Sequence, residues 1–349
     1  MTSLATKIAL AGIGNCAAVF LQGLKYYSGN ERKGLWHPNV AGLKPKDIQV
    51  VAAFDVDSRK VGLELSKAAF APPNVAKRYI GLPRSKVIVD PGISKGDVAP
   101  HLSGTRLTKS SAEEVSKKLE ESGAEMLVNL ISSGSSASSE EYARAALKAG
   151  NAFINCTPSL VLKNNKLVAD FQKAKTPLVG DDLMSQFGGT VFHKGLLGLM
   201  VKRGIKVSKS YQLDVGGGSE TLNTIDEAIK MAKRELKTTS VASEVPYKFE
   251  TVAGTTDFVD YMGNDRTSYF WFEGSTFMDS GISVDIYLRS SDGANAGNVL
   301  LDVIRATSRC MKIGKMGTVG EICAYGFKSP PKPMHFDEAY TKFAALYVR

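Results

Sequence analysis

Lys233 and Lys237 stand four residues apart in TIDEAIKMAKRELK, with Lys230 close by. On a helix that spacing puts both ammonium groups on one face, where like charges cost roughly a few tenths of a kcal/mol. A bound anion or a developing oxyanion offsets that cost, although a solvated basic face is the commoner origin of such a pair. GDD at 180–182 ends an apolar run, TPLV. Adjacent strand residues point to opposite sides, so only one of Asp181 and Asp182 can face a shared site, where it suits a hard cation or a substrate hydroxyl; a surface strand end reads the same way. Lys328, in YGFKSPP, follows another apolar run and is backed by two prolines that stiffen the chain.

A different chemistry is written in KIALAGIGNCAAVF. Gly12 and Gly14 lie between an apolar strand and a helix, where glycine allows a tight turn and lets backbone approach a pyrophosphate at the helix N-terminus. The third position of such a fingerprint serves helix-to-strand packing, and Ala17 is small enough for it. A ligand-free turn is the alternative. Asp55 ends the next strand, IQVVAAFDVD, where a carboxylate can accept from the adenosine ribose and repel a 2'-phosphate, favouring NAD over NADP. It lies 41 residues after Gly14, against ~20 in the usual fingerprint. A Gly-, Pro-, Asn- and Lys-rich insertion at 28–46 explains the excess, and Asp57 is the other candidate for the same role.

Other chemistries fall away. His37, His101, His193 and His335 show no paired-ligand spacing, no GxSxG elbow occurs, and the four cysteines form neither a CxxC motif nor a disulfide framework. The net charge of +9 and pI near 9.2 are compatible with nucleic acid, an anionic membrane or small phosphorylated molecules. No Lys/Arg run exceeds a dipeptide and no aromatics interleave with a basic stripe, so small anions are the better match. No apolar run approaches the ~20 residues of a membrane span, and the apolar N-terminal run is too short for a signal peptide. A reducing, cytoplasmic setting is expected.

These residues need elements to hold them. Strands are expected at Ile8–Gly12, in IQVVAAFDVD, EMLVNLI, AFINCTP and TPLVGDD, alternating with helices at Cys16–Tyr27, in YARAALKAG and around Lys166–Lys173. Between EMLVNLI and its helix, SSGSSASSEE reads as a βα loop whose hydroxyls cap the helix. That alternation predicts an α/β, Rossmann-like doubly wound parallel sheet. Beyond about residue 206 the texture changes to strands in YQLDVGGG, YKFETVAG, SYFWFEGSTF and ISVDIYLRS. In the last, Ile282, Val284, Ile286 and Leu288 alternate with polar residues, as in a sheet with one covered face. NVLLDVIRATSRCMKI is helical again and EICAYGF strand-like, matching the first texture. With 349 residues, two units are expected: an NAD-binding unit at 1–200 and 293–349, and an inserted α+β unit at 201–292.

GIGNCAA, VVAAFDVD, VGDDLMSQFGGT, YQLDVGGG and YGFKSPPKP, in this order, resemble the myo-inositol-1-phosphate synthase family in its shorter prokaryotic form, over nearly the whole chain. The resemblance implies an NAD-dependent isomerase of inositol and phospholipid biosynthesis, a homotetramer with a catalytic and oligomerisation unit inserted in a Rossmann domain. It implies conversion of D-glucose 6-phosphate to 1L-myo-inositol 1-phosphate (1D-myo-inositol 3-phosphate), by oxidation at C5, enolisation, aldol closure onto C1 and re-reduction. Another NAD-dependent dehydrogenase of a phosphorylated or carboxylated substrate, or a non-catalytic NAD sensor, would share the turn but not need the lysines.

By position, the resemblance assigns catalysis to Lys233, Lys237, Lys328, Asp292 and Arg266. It assigns cofactor contact to Gly12, Gly14, Asn15, Cys16, Asp55, Ser133 and Asp182, and substrate phosphate to Ser185 and Gln186. Arg266 stands where the family has a lysine; a guanidinium can bind an oxyanion but does not act as acid or base. Asp214 replaces a family asparagine, and with Asp182 and Glu220 it makes a candidate set for a divalent metal ion.

Overall fold

The computed structural model describes residues 5–348. The chain opens with strand β1 (Thr6–Ala11) and helix α1 (Asn15–Tyr26), followed by β2 (Ile48–Asp55), β3 (Val89–Ile93) and the short β4 (Lys109–Ser110). Helix α2 (Ala112–Ser122), β5 (Met126–Asn129), α3 (Ser136–Lys148), β6 (Ala152–Asn155), α4 (Asn165–Lys173) and β7 (Pro177–Val179) complete the first run. After α5 (Gly189–Lys202) come β8 (Lys206–Gly216), α6 (Glu227–Ala242), β9 (Glu250–Phe258), β10 (Asp265–Ser275) and β11 (Gly281–Ser291). The chain ends with α7 (Asp292–Lys312), β12 (Gly317–Thr318), α8 (Gly320–Gly326) and α9 (Phe336–Tyr347).

β1 to β7 and β12 form one sheet in the order β12-β7-β6-β5-β1-β2-β3-β4, every pair parallel. The order reverses between β1 and β5, and an open α/β sheet binds ligands in the crevice at that switch point, beyond the strands' C-terminal ends. The central strands are buried almost throughout, as parallel strands covered on both faces must be. This is the α/β, Rossmann-like sheet expected from the alternation of elements.

The second sheet runs β11-β10-β8-β9, with β8 and β9 parallel and β10 antiparallel to both its neighbours. Its covered face packs Val207, Phe270 and Phe272 with Leu197 and Met200 of α5 and Val241 of α6. Val284, Ile286 and Leu288 join that cluster, so the alternation in β11 reads as one packed and one open face.

Two local expectations are corrected. EICAYGF is helical: α8 spans most of it, with Ile322, Cys323 and Ala324 buried. A short apolar run buried on all sides carries no periodicity that separates strand from helix. The serine stretch does not cap α3 through its hydroxyls. Most of it lies inside the helix, and the Asp97 carboxylate accepts from the Ser138 N–H at 3.0 Å, while Ser135 Oγ donates to the Asp97 carbonyl at 2.8 Å.

Candidate active site

β1 delivers the chain to Gly12, whose φ of +87° suits glycine and where a Cβ would fall 2.7 Å from the Leu130 carbonyl oxygen. A Cβ on Gly14 would meet nothing within 4 Å, because that residue faces open cleft. Gly14 caps α1 with no side-chain acceptor, so the first N–H groups of the helix stay available to an anion. Asp55 faces the same cleft and accepts from Ile13 N–H at 2.8 Å and Asp57 N–H at 2.9 Å. Asp57 is committed elsewhere, gripping Arg59 through both oxygens. Together these features fit a dinucleotide whose pyrophosphate lies over the turn.

The cleft continues past Gly14, Asn15 and Cys16 to a second part lined by Asp182, Ser185, Glu220, Lys233, Lys237, Arg266, Asp292 and Lys328. Residues from both sheets thus meet on one ligand space. Burial pushes the Cys16 thiol up to about 12, so it remains a neutral wall and not a nucleophile. Asn15 spends its side-chain oxygen on Val75 N–H at 2.8 Å.

Each cation in the cleft has its own carboxylate. Lys328 Nζ lies 2.6 Å from Asp182 Oδ1, Lys233 Nζ 3.2 Å from Glu220 Oε2, and Lys237 Nζ 2.7 Å from Asp214 Oδ2. Arg266 reaches Asp292 at 2.6 Å and Asp214 at 3.7 Å. Asp214 also accepts from Ser268 Oγ at 2.6 Å and from Gln212 Nε2 at 2.9 and 3.0 Å. Burial opposes its charge, but Lys237 and Arg266 outweigh burial and hold the carboxyl well below the usual range. Burial likewise opposes the charge of Glu220, yet Lys233 and the Ser133 amide bring it down to about 2. Lys237 is pushed down by burial, with Arg266 and Lys328 adding to the effect and Asp214 resisting it.

Asp182 adopts φ +63°, a costly conformation for a non-glycine residue of the kind that clusters at functional sites. It faces the cleft while Asp181 turns inward to Asn155 Nδ2 at 2.7 Å and Leu162 N–H at 3.0 Å.

The metal set expected from the sequence is not assembled. Asp182, Asp214 and Glu220 are held by three different lysines, and among the described residues no group of three His, Cys, Asp or Glu side chains could hold a metal ion. Alternation along β8 puts Asp214 on the cleft side, but beneath Lys237. Gln186 also departs from expectation: its Oε1 accepts from Asn298 Nδ2 at 2.6 Å, and it lines a separate small cavity with Trp36 and Tyr340. Ser133 contributes its amide to Glu220 at 3.0 Å.

Sequence reasoning missed Thr190, Gln212 and Asn264, which line the cleft. Gln212 was within reach, being two residues from Asp214 on one strand and therefore on the same face. Gly189 explains its proximity: a Cβ there would lie 2.1 Å from Gln212 Nε2. Asn264 Nδ2 is buried without a partner, leaving one donor beside the cleft.

Comparison with known proteins places this arrangement. The family model for myo-inositol-1-phosphate synthase matches residues 188–293, from the start of α5 to the start of α7. Inositol-3-phosphate synthase of Mycolicibacterium smegmatis is 32% identical over 346 residues, covering 95% of each chain. The chain belongs to the inositol-3-phosphate synthase family. Among solved structures, that of Ari2 shares 30% identity with a TM-score of 0.79, covering 98% of this chain and 99% of the other. Inositol-3-phosphate synthase of Caenorhabditis elegans, 15% identical with a TM-score of 0.75 over 98% of this chain and 84% of its own, shows the same fold. The polar cleft of this chain draws its lining from both the Rossmann-like sheet and the second sheet. Among the described residues no helix is long and apolar enough to cross a membrane.

Proposed function

We propose that this protein isomerises D-glucose 6-phosphate to 1L-myo-inositol 1-phosphate with NAD bound over the Gly12–Gly14 turn. The observation that carries this reading is the meeting of Lys233, Lys237, Arg266 and Lys328 in one cleft with Gly14, Asn15 and Cys16. Bound there, NAD supplies oxidation at C5 and its reversal.

Each chemical stage places negative charge on a sugar oxygen. Fixed cations in the cleft stabilise that charge without reorganising. Lys237 and Arg266, backed by Asp214, are assigned to the oxygens of the reacting carbons. Lys328, set by Asp182, and Lys233, set by Glu220, complete the field. Ser185 and the uncapped N-terminus of α5, beginning at Gly189, suit the substrate phosphate. Asp214 and Glu220 act here as supports for lysines.

The reading includes two units, with α5 grouped with the inserted one because Leu197 and Met200 pack in its cluster. It also includes a homotetramer. The open face of the second sheet carries an aromatic ladder in which Tyr211 stacks on Trp271 at 5.4 Å and Tyr269 meets Tyr287 at 4.9 Å, a surface suited to another copy of the chain. Four free cysteines suit a cytoplasmic setting.

The test is incubation with glucose 6-phosphate and a catalytic amount of NAD. Inositol phosphate should form, resolved from glucose 6-phosphate by chromatography, with no accumulation of NADH. Stoichiometric NADH, or no product, would sink the proposal.

A further inference from the structure

Ile13, between the two glycines of the dinucleotide turn, is fully buried, and both of its peptide groups are gripped from outside the turn. Its N–H donates to Asp55 Oδ2 at 2.8 Å. Its carbonyl accepts from Lys60 Nζ at 2.9 Å and from Asn74 Nδ2 at 2.9 Å. Lys60 Nζ donates further to Asn74 Oδ1 at 3.0 Å and stands 3.8 Å from Asp55 Oδ2, closing a ring around one residue.

Lys60 is 4% exposed, and a buried ammonium is tolerated only when its charge and protons are matched. The Ile13 carbonyl and Asn74 Oδ1 accept its protons, and the Asp55 carboxylate, 3.8 Å away, matches its charge. The need for a brace follows from the turn's composition. Gly12 and Gly14 give Ile13 flexible neighbours on both sides, and a turn left free would lose that freedom on binding, at a cost to affinity.

We propose that Lys60 is a positioning residue for the dinucleotide: with Asp55 and Asn74 it locks the Ile13 peptide and sets the Gly12–Gly14 turn in its binding shape before the cofactor arrives. The inference rests on the reading of that turn as an NAD site. It gives Asp55 a second duty, since a carboxylate facing the adenosine side of the cleft also holds the turn.

The experiment uses the full-length protein with Lys60→Met, which keeps the apolar stem and removes the ammonium. NAD affinity is measured by calorimetry, and amide exchange is followed residue by residue in the absence of NAD. The expected result is an NAD Kd raised at least tenfold, with the Ile13 amide exchanging at least tenfold faster and the second sheet exchanging at wild-type rates. An NAD Kd within twofold of wild type, an unchanged Ile13 amide, or faster exchange throughout the chain would each overturn the proposal. Asn74→Ala, which removes one donor to the Ile13 carbonyl and one acceptor of Lys60 but keeps the Lys60–Asp55 pair, is the second variant should Lys60→Met not fold. It should raise the Kd at least threefold, and an unchanged Kd overturns the proposal. Failure of the wild type to bind NAD would overturn the cofactor reading together with this inference, a result distinct from a binding wild type whose variants match it.

Discussion

Lys237 Nζ rests 2.7 Å from Asp214 Oδ2, a carboxylate that is 1% exposed and lies beneath the cleft. The pair joins α6 to β8 and puts the counter-charge behind the lysine, leaving the substrate side of the ammonium free. Burial already lowers the Lys237 pKa, with Asp214 the main group resisting. Asp214→Asn should therefore lower it further and move the alkaline limb of the kcat profile to lower pH. Lys237→Met should cost about 100-fold in kcat, the scale of losing one fixed charge at an oxyanion. Profiles of kcat against pH for the three proteins check both; an alkaline limb that stays in place in Asp214→Asn removes the argument.

Arg266 bridges two carboxylates, Asp292 at 2.6 Å and Asp214 at 3.7 Å, with a charge that does not titrate in the working range. Arg266→Lys should retain turnover within about tenfold and Arg266→Met lose about 100-fold or more, consistent with an electrostatic role. Steady-state kinetics on glucose 6-phosphate decide, and equal losses in the two variants would contradict the role.

Burial raises the Asp181 carboxyl to about 7, against the Asn155 and Leu162 hydrogen bonds that favour its charge. A raised carboxyl pKa means that the folded protein holds a proton the unfolded chain has released. The group's contribution is then fully present below about pH 4 and is lost as pH rises through about 7. It amounts to roughly 4 kcal/mol at most. Melting temperatures of Asp181→Asn minus those of wild type should increase steadily from pH 4 to pH 7. A difference independent of pH would show that the site is charged throughout.

Because Asp182, Asp214 and Glu220 each hold a different lysine, turnover should survive exhaustive chelation. Activity after EDTA treatment and gel filtration, within twofold of the untreated protein, is the expected outcome. Loss of activity restored by a divalent ion would require those carboxylates to leave their lysines.

The parts legible in the sequence are those set by neighbours in the chain. A strand, two glycines and a helix are encoded within a few residues, and alternation along β11 declares which face is covered because strand side chains repeat every two residues. The same logic misled at EICAYGF, where complete burial erases the periodicity. At Asp182, Asp214 and Glu220, position in the chain gives no means of seeing which cation each carboxylate meets.

The sequence alone carries the sheet class, the Gly12–Gly14 turn between strand and helix, and the residue types available for chemistry, through local sterics and hydrophobic period. The pairing of charges was left to the folded chain. Lys328 meets Asp182 across 146 residues, Arg266 meets Asp292 across 26, and Lys60 meets the Ile13 carbonyl across 47. Such contacts depend on strand order and on how the two sheets face each other, and no local spacing encodes either. A buried charge can be recognised from its type, but the partner that makes its burial tolerable is fixed only when the chain has folded.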